Sequence, residues 1–134
     1  MNDIEKKWKP KYGEAYFAIE NAVDVVRYIY IGDDIDESCI LSGDYFPTRE
    51  RAEQVAKKIR LLLQLEQLHD QLCPDYEPDW DGTAKFLVAF DHTDGKMQAF
   101  FDRSSGESTL VYFRDVVTAM EAADILNAEL EESK

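Results

Sequence analysis

Gly43-Asp44-Tyr45-Phe46-Pro47-Thr48 leads into residues 49 to 72, a run whose apolar positions recur at helical spacing. The aromatic pair ends an extended segment and Pro47-Thr48 turns the chain. The Thr48 hydroxyl is placed to accept a bond from an amide of the first helical turn. Ala52, Val55, Ala56, Ile59, Leu62 and Leu63 form one apolar stripe, and Pro74 ends the helix. Leu61, Leu65, Leu68 and Leu72 form a second stripe on a rotated face. A helix apolar on two faces sits between layers or reaches a partner.

The same device returns at Tyr112-Phe113-Arg114-Asp115, where Asp115 caps a helix over 116–131. The core stripe of that helix is Val116, Ala119, Ala123, Leu126 and Leu130. Other blocks recur with it. Trp8-x-Pro10-x-Tyr12 matches Tyr76-x-Pro78-x-Trp80, and Gly13-x-Ala15-x-Phe17 matches Gly82-x-Ala84-x-Phe86. Ala52, Val55, Ala56, Ile59 and Leu63 match Ala119, Ala122, Ala123, Leu126 and Leu130. All these pairs lie 67 to 69 positions apart, which predicts an internal repeat with units over 8–72 and 76–131 of one domain.

Each unit then reads as an entry segment, a β-hairpin, a short third strand and a helix. Strands are predicted over 14–20 and 23–31, with Asn21-Ala22 as the turn, and over 85–90 and 96–102, with a turn at Asp91-His92-Thr93-Asp94-Gly95. Residues 108–113 read as a third strand. Residues 32–38 read as an acidic loop and 39–41 as a short edge segment. The expected class is α+β with pseudo-twofold symmetry: an antiparallel sheet packed by two helices, or two small paired sheets.

A chain of 134 residues with 45% hydrophobic and 12% aromatic content is globular by composition. Its formal net charge is -13, and residues 73–134 alone carry 14 acidic and 5 basic groups. That sign excludes nucleic acid and anionic membrane surfaces as direct ligands, since both require a cationic footprint. It suits a protein partner with a basic surface or a metal cation, and it also serves solubility. The first residues lack the apolar core of a signal peptide, and no apolar run approaches the ~20 residues of a membrane span. Cys39 and Cys73 have no metal or redox spacing and are expected to be reduced and buried.

No phosphate loop, nucleophile elbow, dinucleotide fingerprint or zinc-protease helix is present, so no catalytic residue, cofactor or metal ligand is assigned. Glu77-x-Asp79-x-Asp81-Gly82 has the front half of a calcium loop, but Val88 stands where the closing bidentate Glu belongs and Pro78 stiffens the front. His69 and His92 have no metal-spaced neighbours. Two acidic groups remain as candidate partner-binding sites: Asp33, Asp34, Asp36 and Glu37, and Asp75, Glu77, Asp79 and Asp81. Trp8, Tyr12, Tyr76 and Trp80 are expected to pin the two entry segments to the core.

Trp8-Lys9-Pro10-Lys11-Tyr12-Gly13-Glu14-Ala15-Tyr16, the stretch 43–48 with Ala52-Glu53, and Pro78-Asp79-Trp80 before Lys85-Phe86 resemble small uncharacterised bacteriophage and prophage proteins. The resemblance spans most of the chain. It implies a phage origin and a place in the host cytoplasm, and it transfers no active site. Together with the charge it implies an acidic binding protein that inhibits a host defence or nucleic-acid-binding protein by occupying a basic groove. Two alternatives stand beside it. One is a ligand- or metal-binding module built on the aromatic entry segments and the acidic linker. The other is an assembly protein that forms a homodimer through Leu61, Leu65, Leu68 and Leu72.

Overall fold

The computed structural model describes residues 7–132. The fold is α+β, with two antiparallel two-stranded sheets, three helices and a strands-then-helix order that occurs twice. The chain forms two compact units that meet between Leu61 and Leu62. That boundary falls inside a helix rather than in the segment after residue 72, because the C-terminal half of the helix binds residues of the second unit.

In the first unit β1 (Ala15–Glu20) pairs with β2 (Asp24–Ile29), in a register from Ala15↔Ile29 to Glu20↔Asp24. Tyr16 and Ala18 are buried on one face of β1, the period-two pattern of a half-covered strand. Asn21 and Ala22 in the connecting loop both have positive φ, 54° and 60°. Asn tolerates that conformation; Ala22 is strained by its Cβ.

The predicted acidic loop and edge segment are instead one helix, α1 (Asp34–Ser42). Asp33 caps it, accepting from the Asp36 amide at 2.9 Å, and the Asp36 carboxylate accepts in return from the Asp33 amide. Gly43, at φ 79°, closes its C-terminus in the left-handed region. Reciprocal capping and acids in the first turn outweigh weak amphipathicity; Ile35 and Leu41 remain exposed.

Residue Phe46 makes a single bridge to Phe17, with Phe17 N donating to Phe46 O at 2.9 Å and the reverse bond at 2.8 Å. Then α2 (Arg49–Leu72) begins with the bounds its pattern predicts, and the Arg51 amide donates to the Thr48 hydroxyl. Ala52 and Ala56 are buried on the first stripe, whereas Leu62 and Leu63 are exposed.

The second unit contains the rest of α2, the hairpin β3 (Lys85–Asp91) and β4 (Lys96–Asp102), and α3 (Val116–Glu132). Gly95, φ 72°, supplies the hairpin turn, and its amide donates to Asp91 O at 2.8 Å. Residues 108–113 form no third strand. Phe113 alone bridges Phe86, while the Ser108 hydroxyl accepts from the Leu110 amide and folds the segment into a local turn. The first helical turn of α3 is capped by Asp115, which accepts from the Thr118 amide at 2.8 Å and from its hydroxyl. Ala119, Ala122, Ala123 and Leu126 are buried; Val116 and Leu130, expected in that stripe, are exposed.

The two units thus share a hairpin, a one-residue bridge and a capped helix in the same order. They differ between hairpin and bridge: the first unit has α1 there and the second has irregular chain. Of the two arrangements expected, one sheet under two helices or two small sheets, the structure has two separate two-stranded sheets. A two-stranded sheet is marginal alone, so each depends on its helix for burial.

Candidate functional site

Two acidic segments were candidates, one in each unit, and they have opposite fates. In the first, Asp36 is 1% exposed. Its Oδ2 accepts from the amides of Ile31 (2.8 Å), Gly32 (2.9 Å) and Asp33, and its Oδ1 accepts from the Tyr16 hydroxyl. Burial alone would push this carboxyl up. The Tyr16 hydroxyl and the three amides outweigh it and hold Asp36 below the usual carboxylate range. Burial, the Asp36 bond and the neighbouring Cys39 push the Tyr16 hydroxyl far up in turn. Asp36 therefore joins β1, the residue 31–33 turn and α1, and it is unavailable to a partner. Asp33 is spent on capping. Asp34 and Glu37 are exposed on the first turn of α1.

The second segment, residues 75–81, lies between α2 and β3 in the second unit. Asp75, Glu77, Asp79 and Asp81 are all exposed, and Tyr76, Pro78 and Trp80 between them are half-buried. Alternation of this kind is what an extended chain produces over an apolar surface.

Both aromatic residues of the row are anchored. His69 Nε2 lies 3.0 Å from Tyr76 O, His69 Nδ1 lies 3.1 Å from Asp70 Oδ1, and the His69 ring faces Tyr76 and Phe113. Burial alone would lower this imidazole. Asp70 and the Tyr76 carbonyl prevail and raise it, because only the doubly protonated ring donates to both acceptors. At the other end Trp80 meets Tyr112 edge to face, with centroids 5.6 Å apart. Lys85, 1% exposed, places its Nζ 4.9 Å from the Trp80 centroid, bonds Ser104 O and pairs with Asp102 Oδ1 at 3.6 Å. The Tyr112 hydroxyl donates to Asp102 Oδ2 at 2.8 Å, and this bond, outweighing burial, holds the Asp102 carboxyl low.

Asp81 is only partly free. Its Oδ1 accepts from the Thr83 amide at 3.0 Å and from the Thr83 hydroxyl, which together hold its carboxyl low. Asp75 lies in the turn that follows α2 and Asp81 in a bend, with no regular element between them. Among the described residues no group of three or more His, Cys, Asp or Glu is arranged to hold a metal ion.

The apolar candidates fare differently. Leu65 and Leu68 are buried, and Leu61 and Leu72 are half-buried, so this stripe is not an open face. Of the aromatic entry residues, Trp8 meets Tyr45 with centroids 6.2 Å apart, but Tyr12 is 79% exposed and pins nothing. Cys73 is buried, Cys39 is half-buried, and both are free thiols. The anchors His69, Lys85 and Tyr112 are absent from the sequence-level candidates. A lysine opening an otherwise apolar strand at residue 85 is the signal that points to one of them.

No helix is long and apolar enough to cross a membrane, among the described residues. No family model matches the chain, and neither a curated protein nor a solved structure matches it.

Proposed function

We propose that the chain is an acidic binding protein whose row of carboxylates at Asp75, Glu77 and Asp79, ending at Asp81, engages a basic groove on a partner protein. The observation that carries this reading is the alternation of exposed acids with anchored Tyr76 and Trp80. Anions held on a pinned backbone resemble what a nucleic-acid strand presents to lysine and arginine side chains. Pinning also lowers the ordering cost that a flexible acidic tail would meet on binding.

The resemblance of the entry motif to phage proteins supports placing the protein in an infected host's cytoplasm, acting there on a defence or nucleic-acid-binding protein. The formal charge of -13 supports a cationic partner over direct contact with nucleic acid.

The test is affinity capture from infected-host lysate with wild-type protein and with the combined variant Asp75→Asn, Glu77→Gln, Asp79→Asn. The expected result is a basic partner retained at low salt, released by high salt or by added duplex DNA, and lost by the variant. A partner that resists both salt and DNA overturns the reading.

A further inference from the structure

The outer edge of β4 raises a separate question, independent of the carboxylate row. Two contacts fix which way its backbone points. The Asn127 side chain of α3 is bonded to Met97, with its Oδ1 accepting from Met97 N at 2.8 Å and its Nδ2 donating to Met97 O at 3.0 Å. Phe113 N donates to Phe86 O on the far side of β3, at 2.7 Å, and Phe86 is the register partner of Phe101. Backbone direction alternates along a strand. Met97, Ala99 and Phe101 therefore all turn their N–H and C=O groups away from β3. Met97 is satisfied by Asn127; Ala99 and Phe101 have no backbone partner on that side among the described residues.

Beside this edge α3 leaves a groove of about 760 Å³, lined by Phe90, Met97, Ala99, Met120, Ala123 and Asn127. One helical turn back from Asn127 stands Ala123, about as far along α3 as Ala99 lies along β4 from Met97. At Asn127 a side chain fills the slot and completes the edge. At Ala123, itself 4% exposed, there is only a methyl, which offers Ala99 no hydrogen-bonding group. Edges are normally protected by charge, proline or a bulge. The stretch Met97-Gln98-Ala99-Phe100-Phe101 has no charged residue or proline, and Phe100 and Phe101 are exposed. Asp124 also lines the groove, in a unit whose residues 73–134 are strongly acidic, and Lys96 lies at one end.

We propose that this slot takes an extended segment of a partner protein, with alternating apolar and basic side chains, as a third strand on β4. Its main chain bonds Ala99 and Phe101, its apolar side chains enter the groove beside Met120, and its alternating basic side chains point to the opposite face, in a unit whose residues 73–134 carry 14 acidic and 5 basic groups. Addition of a strand to an open edge draws affinity from main-chain bonds and specificity from alternate side chains. A second copy of this chain is disfavoured as occupant by its own formal charge of -13.

The probe is the peptide acetyl-Lys-Val-Lys-Val-Lys-Val-Lys-amide, titrated by fluorescence anisotropy, with a control in which each valine is proline. The control keeps the charge and loses the donors. The expected result is saturable binding of the first peptide alone. It persists when Asp75, Glu77 and Asp79 are neutralised, which separates this slot from the carboxylate row. Ala99→Pro removes only an outward-facing donor, a change sheet edges tolerate, and Met120→Lys places a cation at an exposed position of the groove, where it repels a basic segment. Each lowers affinity about tenfold or more while circular dichroism shows a folded protein. In the wild type, saturation with peptide slows amide hydrogen exchange at Ala99 and Phe101, a readout that needs no variant. Absence of binding, equal binding of the control peptide, undiminished binding by the folded variants, or unchanged exchange at those amides overturns the proposal. So does a dimer in sedimentation velocity that Ala99→Pro dissolves, since the occupant is then a second copy.

Discussion

The two acidic segments have similar composition and opposite physics. In Asp33-Asp34-Ile35-Asp36-Glu37 only Asp36 turns inward. One carboxylate becomes the buried hub of three backbone amides and a tyrosine, and a second caps a helix. Residues 75–81 turn outward, with carboxylates in water and aromatics in the surface. Spacing makes the difference. Acids three apart across a helix start satisfy each other's amides, whereas the acids two apart in residues 75–81 alternate with half-buried residues and stay in water. Acidity alone therefore does not mark a binding surface; its period does.

The sharpest way to break this contrast is to remove the hub. Asp36→Ala leaves the Tyr16 hydroxyl and the Ile31 and Gly32 amides without their acceptor, and should cost on the order of 3 kcal/mol or more in urea denaturation. The combined neutralisation of Asp75, Glu77 and Asp79 should change stability by less than ~0.5 kcal/mol, as exposed substitutions do. Equal effects would erase the distinction.

Next in size is the cap. Asp33→Ala should cost about 1 kcal/mol, read by the same denaturation, because α1 loses an acceptor at its first turn.

A pH test sharpens the outward half. His69 is raised in the folded protein, so its contribution is fully present below the ordinary imidazole range near 6.5 and is lost as pH rises through the raised folded value. Melting temperature should fall from pH 6 to pH 9, and His69→Gln should flatten that slope. A wild-type slope equal to the variant's would mean that His69 does not hold Tyr76 through its charge.

The smallest expected effect is none. Millimolar calcium should leave the melting temperature unchanged, because a ligand that binds only the folded state must stabilise it and the row does not converge on one point. A rise of several degrees would show that the outward acids can gather round a cation.

Much of this was legible in the chain. α2 has the bounds its apolar period and Thr48 cap predict, β4 has the predicted limits, and the Asp-Gly turn stands where composition places it. α1 was missed because its signals are terminal ones: a D-x-x-D capping box and a C-terminal glycine, around a body with almost no apolar face. The third strands were over-read. Tyr-Phe pairs favour extended backbone, but only Phe46 and Phe113 reach a neighbour, one bridge each. Asp36 was placed among surface acids because its burial depends on Tyr16, twenty positions away, and no local pattern carries that. The exposure of 75, 77, 79 and 81 was visible as alternation. The anchoring of that segment by His69, Lys85 and Tyr112 was not, since those contacts arise only once the second unit folds.

The passage of α2 through the boundary at Leu61 and Leu62 has a consequence for how the protein can be divided. Severing the chain there would split one long helix into two pieces, each at or below the ~12–15 residues that hold helical structure poorly alone. Neither half would keep its own closing element at full strength. A protease that nicks this midpoint would therefore not release two durable fragments. It would leave new helix ends with unpaired backbone groups on both sides of the cut, held only by the packing of Ala52 and Ala56 on one side and of Leu65 and Leu68 on the other.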